Sequence, residues 1–194
     1  MNPDYEKYKA LNLDGGPIGL AEEDGEPWFC TPVGAEIIGW DNGIHYCFLP
    51  EFGEMVFCVN AETCCDQLVY PIAETFRDFL RLILAVGCTN PLQQIVWWDR
   101  KQFEDFIRDP EEAAYAASPE VTAVLRAMEA GLELTPMDDP FGYVKGLQTD
   151  FSYERIPFSN EYYDTLGLER PDGSEPEENG FAFEAAAFTF PAEG

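Results

Sequence analysis

The five residues from Met55 to Val59, MVFCV, are apolar without interruption. Side chains alternate across a strand, so such a run offers no face to water and belongs at the centre of a sheet, with helices over one side. The flanking sequence says what kind of sheet. WFCTPVGAEIIGW starts at Trp28 and is rich in β-branched and aromatic residues; Asp41, Asn42 and Gly43 interrupt it before IHYCFL; PEFGE separates Leu49 from Met55; AETCCDQ precedes LVYPIA. Asn-Gly accepts the positive φ angles of a type I′ turn, so the first two runs form a hairpin. Every link is too short for a parallel crossover, and an antiparallel meander is predicted.

Helical patterns follow. TFRDFLRLILAVG places Phe76, Phe79, Leu80, Ile83 and Leu84 on one broad stripe, with Thr75 as N-cap and Gly87 as the stop. NPLQQIVWW starts a second helix with Asn90 as cap and Pro91 at the first position, and DRKQFEDFI a third with Asp99 as cap and Gln102 three later. Of Trp97 and Trp98, which point about 100° apart on a helix, one is expected in the core and the other over the helix junction. SPEVTAVLRAMEAG is a fourth helix, capped by Ser118 and stopped at Gly131.

The two ends differ from this middle. Residues before Trp28 combine a short helix with Gly15, Gly16 and an acidic turn, a loosely packed lead-in. From Glu129 onward 15 acidic residues face 3 basic ones, the stripe gives way to loops rich in Pro, Gly and Tyr, and RPDGSEPEENG has a linker's composition. The final FAFEAAAFTF suits a closing strand or a docked tail. The fold class expected is α+β: one domain over 1–194, an antiparallel meander packed on one face by helices, with a helical and irregular C-terminal region over 109–194.

Composition narrows function. At 194 residues and 46% hydrophobic content the chain can bury a sizeable core, and its 14% aromatic content argues against general disorder. Its formal charge is −26, from 37 acidic against 11 basic residues. Nucleic acid and anionic membrane are repelled by such a surface, while a basic protein is steered towards it. No basic-then-apolar leader opens the sequence, and no run approaches the roughly 20 apolar residues of a membrane span. A cytoplasmic protein with reduced thiols is expected, because its six cysteines form no C-x-x-C pair and several sit among Phe, Val and Leu.

The stretch GIHYCFLPEFGEMVFCVNAETCC holds the only histidine and four cysteines. On a strand, His45 and Cys47 share a face. A thiolate needs a cation or helix N-terminus nearby, whereas Asp41, Glu51 and Glu54 would oppose one. Zinc drawn from His45, Cys47, Cys58 and Cys64 or Cys65 lacks the paired short spacings of such sites. The familiar phosphate, dinucleotide, metalloprotease and serine-hydrolase motifs are missing. No catalytic residue, metal or cofactor is expected, and a hydrolase using Cys47 with His45, or a carboxylate pair, is the weaker alternative.

The order of these elements resembles the SUKH superfamily, which includes yeast cell-wall-synthesis regulators and many bacterial immunity proteins. Its helix signature, piA-x-sF-x-dFL, is matched by Pro71, Ile72, Ala73, Phe76, Asp78, Phe79 and Leu80; Gly53 falls at a family turn and Trp40 where an aromatic ends a strand. The likeness spans residues 28–108, and no clear counterpart of the family's leading helix precedes Trp28. It implies a non-catalytic interaction module: an immunity-like protein that binds and blocks a toxin domain, many of which are nucleases with basic clefts, or a regulatory scaffold without a toxin. Charge clustering places the expected partner surface on Glu22, Glu23, Asp24 and Glu26 of the lead-in and on Asp41, Glu51 and Glu54 at the sheet ends.

Overall fold

The computed structural model describes residues 2–22, 25–63 and 66–174. Its sheet is the predicted meander: β1 (Glu36–Asp41), β2 (Ile44–Phe48), β3 (Val56–Val59) and β4 (Val69–Ala73) lie in that order, each pair antiparallel. Asn42 and Gly43, with φ of 51° and 87°, make the hairpin turn opposite the Asp41–Ile44 pair. β1 bulges at Ile38, since Ile37 pairs with Cys47 but Gly39 with Tyr46. Pro71 is tolerated in β4 because that strand is an edge, and its carbonyl accepts from Gln148 Nε2 at 3.2 Å.

Eight α-helices surround the sheet among the described residues: α1 (Pro3–Ala10), α2 (Phe76–Val86), α3 (Asn90–Gln93), α4 (Arg100–Ile107), α5 (Pro110–Ala116), α6 (Pro119–Leu132), α7 (Pro140–Thr149) and α8 (Asn160–Leu166). The capping signals act as their chemistry requires. Thr75 Oγ1 accepts from the Asp78 N–H at 3.0 Å, and Asp99 and Gln102 exchange two bonds of 2.8 Å. On one face of the sheet Tyr46, Phe48, Val56, Cys58 and Ile72 pack with Phe76, Phe79, Leu80 and Ile83 of α2 and with Val121 and Met128 of α6. No helix among the described residues is long and apolar enough to cross a membrane.

The other face is also covered. Cys47, Leu49, Phe57, Val59 and Val69 are buried against Cys30 and Ile156, with Phe29, Phe52, Phe151, Phe158 and Tyr162 packed around them. Apart from Phe52, on the β2–β3 link, and Tyr162, in α8, these partners come from two irregular strips, joined where the Val33 N–H meets the Pro157 carbonyl at 2.8 Å. Phe158 stacks on Tyr162 of α8 at 3.8 Å. The acidic C-terminal region thus contributes to the core: α7 inserts Phe141 and Val144 into the first cluster, and Ile156 closes the second.

Several expectations need correction. The strand expected from Trp28 begins only at Glu36, because Pro32 and the left-handed Gly34 (φ 78°) make turns of the preceding residues. The helix expected over NPLQQIVWW is the single turn α3, after which the Lys145 ammonium donates to the carbonyls of Ile95, Val96 and Trp98 at 2.9–3.2 Å and holds the chain out of helix. Both tryptophans there are half-buried, with Trp98 against Phe106 at 4.9 Å. Gly131 does not stop α6, which runs to Leu132 and ends on left-handed Glu133; a Cβ at Gly131 would lie 2.6 Å from Leu11, so the glycine admits the lead-in. Helices α7 and α8 stand where loops are expected from Glu129 onward, α7 kept helical despite two glycines by its buried face.

Nor is the lead-in loose. Asn2 accepts from the N–H groups of Asp4 and Tyr5, Pro3 opens α1, and Tyr5 and Tyr8 meet Phe76 edge-on at 5.1 and 5.6 Å. A helix therefore does precede the meander. Ile18 and Leu20 follow into the core, and Ala21 bridges to Trp40 on the open edge of β1. The expected final strand FAFEAAAFTF and most of the linker lie outside the described residues.

Gly19 is where this packing is tightest. It is left-handed (φ 78°), and a Cβ on it would stand 1.9 Å from Thr89 Oγ1. Gly19→Ala is expected to cost about 2 kcal/mol or more in urea unfolding. Gly146→Ala, in α7 with nothing within 4 Å of its Cβ position, should stabilise by about 0.5–1 kcal/mol in the same experiment.

Candidate functional site

His45 and Cys47 do share a face, but it is the sealed second face of the sheet. Both are fully buried. His45 Nε2 lies 3.1 Å from Thr31 Oγ1, and its ring sits 4.6 Å from that of Trp40. Burial pushes its pKa down to about 4, with a smaller opposite effect of the Gly43 backbone, so the ring is neutral near pH 7. Burial raises the Cys47 thiol well above its usual range, and Cys58 likewise. Cys58 pairs with Tyr46 and faces the helices, away from Cys47, so the drawn zinc set is split across the sheet. Cys64 and Cys65 lie outside the described residues, and among those residues no group of three His, Cys, Asp or Glu is placed to hold a metal.

The acidic residues expected at an interface occupy separate places. Asp41 ends β1 at the hairpin turn, whereas Glu51 and Glu54 are exposed on the β2–β3 link beyond the opposite end of the ladder. Glu22 is exposed beside Tyr8 and Lys9 at a smaller cavity along β1, and Glu26 is exposed as well. Glu23 and Asp24 lie outside the described residues.

Of the described members of this set only Asp41 lines the cleft at the hairpin end, which has a volume of about 480 Å³. Three stretches of chain converge on its floor. Asp41 Oδ2 accepts from Thr89 Oγ1 at 2.9 Å and, at the long distance of 3.5 Å, from Gln93 Nε2; Oδ1 accepts from Asn42 Nδ2 at 3.1 Å. Thr89 is itself fixed by its N–H on the Ile18 carbonyl at 3.0 Å. Gln93 Nε2 also reaches Asn90 Oδ1 at 3.2 Å, and the Gln93 carbonyl accepts from the buried Tyr70 hydroxyl at 2.8 Å. The carboxylate that the hairpin turn presents is therefore held by neutral donors alone.

The walls carry more negative charge. Glu62 follows β3, and Glu111, Glu112 and Tyr115 come from α5, which is hooked over the lead-in by the Tyr115 hydroxyl donating to the Pro17 carbonyl at 2.8 Å. No Lys or Arg lines the cleft, and among the described residues none of its four carboxylates takes part in an ion pair. Burial, with Asp41 and Glu112 adding, pushes the lining thiol of Cys88 up to about 11. A site of this kind favours cations and disfavours thiolate chemistry. Glu62, Glu111, Glu112 and Tyr115 escape sequence reasoning. Glu111 and Tyr115 are four apart on one helix face, but their meeting with Asp41 is a tertiary event.

No family model, curated protein or solved structure matches the chain.

The depressed His45 pKa has a measurable consequence. The unfolded chain, with an ordinary pKa of about 6.5, binds more protons than the folded one between pH 6.5 and 4, so stability falls as pH drops through that window. Between pH 7 and 5 this histidine should remove about 2 kcal/mol. Urea unfolding of the protein and of His45→Asn at both pH values checks it: the parent's loss should exceed the variant's by about that amount.

Proposed function

We propose that this chain is a non-catalytic binding module that acts in the cytoplasm on a basic protein partner, in the manner of the SUKH-like immunity proteins it resembles. The observation that carries the proposal is the cleft at the hairpin end, which four carboxylates line without a lining cation, on a chain of net charge −26. A surface of that kind raises the encounter rate with a cationic protein and disfavours polyanions. A toxin domain with a basic substrate cleft is the partner that this chemistry and the resemblance jointly favour. The module would block such a cleft by occupying it.

The order of elements supports the resemblance. Helix α1 stands ahead of the meander as a SUKH leading helix would, Gly53 (φ 64°) turns between β2 and β3, and Pro71, Ile72 and Ala73 form β4 directly before α2. The matched residues Phe76, Phe79 and Leu80 are fully buried, as a packing signature requires. Enzymatic readings draw little support from His45 and Cys47, which are sealed beneath an aromatic layer and held in their uncharged forms.

The test is capture of the tagged chain from its native cell at low and at high salt, followed by identification and purification of what is retained. The expected result is a basic protein, lost at high salt, whose toxic or nucleolytic activity falls when an equimolar amount of this chain is added. A purified partner that is acidic, or one that keeps full activity in the complex, would overturn the proposal.

A further inference from the structure

We infer that the hairpin-end cleft is a receptor for an arginine side chain presented by the partner protein; this rests on the basic-partner reading above and names the place and chemistry of contact. Acidic walls alone would not say so. The decisive feature is Gln93, which lines the cleft and is only 6% exposed. Its amide nitrogen is spent on Asp41 and Asn90, while its Oε1 is buried with no hydrogen-bond partner. An unpaired buried acceptor is costly, and since Oε1 has almost no accessible surface, a small shift of the Gln93 amide would be needed to bring it to an N–H donor in the cleft and relieve it.

The rest of the cleft fits a guanidinium better than other cations. Five N–H donors in a planar fork can be shared among Asp41, Glu111, Glu112 and the Gln93 oxygen, which a single ammonium cannot match. Tyr115, 47% exposed on the wall, offers a ring face on which such a plane stacks. Ile44 and Cys88 supply apolar surface for the methylene stem. A bare divalent cation is disfavoured, because no three of these oxygens converge at ligand spacing among the described residues. At about 480 Å³ the cleft lies in the range of side-chain-sized and small-ligand sites and cannot admit a whole helix.

The experiment is an NMR titration of the labelled full chain with Nα-acetyl-arginine N-methylamide, a singly charged stand-in for the side chain in a polypeptide. Saturable amide shifts confined to residues 41–44, 88–93 and 111–115 are expected, with the lysine analogue weaker by several-fold. Glu111→Gln with Glu112→Gln should weaken binding about tenfold. Glu120→Gln with Glu129→Gln, an equal change of net charge on exposed positions of α6, should alter it less than twofold. Scattered or unsaturable shifts, or equal loss in both double variants, would overturn the inference. So would agmatine binding a hundredfold tighter than the arginine probe, which would mark a site for a small-molecule cation. If the titration fails while a basic partner is still captured, the module reading stands and the contact lies on another acidic face. If the titration succeeds and no basic partner is retained, the receptor stands and the immunity-like reading falls.

Discussion

A strand with apolar side chains on both faces cannot be finished by one layer of helices, and β3 (Val56–Val59) is such a strand. Val56 and Cys58 face α2 and the rest of the helical layer, while Phe57 and Val59 point the opposite way, towards chain that is mostly irregular. The second layer is therefore improvised from residues 29–35 and 151–162, two mostly irregular strips, the second running into the first turn of α8, that meet beneath the sheet. Each large side chain fully withdrawn from water there contributes about 1.5–3 kcal/mol, enough to order a strip that has little backbone pairing of its own. The Arg170 guanidinium, forked onto Asp164 with both side chains nearly buried, fixes the far end of that strip behind α8. Residues 151–162 are thus bound to the fold by the need to cover Phe57 and Val59, as α6 and α7 are bound by the first cluster.

The cleft follows from the same closure. Wrapping the lead-in along the free edge of β1 brings Gly19 against Thr89, and Thr89 in turn positions Asp41. Helix α5 crosses the lead-in and is tied to it through Tyr115 and Pro17, which sets Glu111 and Glu112 opposite Asp41. No element was recruited for the cleft alone. Its floor is rigid because its members are also the joints between lead-in, hairpin and α3, and a rigid floor loses little entropy when a ligand settles on it.

Much of the fold was legible in local chemistry. The Asn42-Gly43 turn, the caps Thr75, Asp99 and Ser118 and the central placement of β3 each depend on residues within a few positions of one another. The misses came where a distant group decided. Lys145 draws three carbonyls out of a helix that Pro91 had started, and Leu11 needs Gly131 to be small, so that glycine looked like a stop while serving a contact 120 residues away in sequence. The candidate site shows the same split. Asp41 stood out as a charge beside a hairpin turn, whereas its companions on α5 lie some 70 positions downstream, and only packing reveals that they face it.

The distribution of the few cations completes the electrostatic picture. Of the 11 basic residues, Arg77 and Arg81 bind carbonyls at the end of α6, Lys145 binds those after α3, and Arg100 and Arg170 are forked onto Asp139 and Asp164. Lys7, Lys9, Lys101 and Arg108 pair with carboxylates one turn away on their own helices. Arg155 lies over the Phe52 ring and Arg126 is exposed on α6; the other nine positive charges fasten the chain to itself, at helix C-termini, where they offset the dipole, or in ion pairs. What remains for the exterior is negative charge without local relief, and self-repulsion among those carboxylates destabilises the compact state. A cationic partner of the kind proposed would remove that repulsion at the same moment as it gained its own contacts, so the excess charge that weakens the isolated fold would favour such a complex.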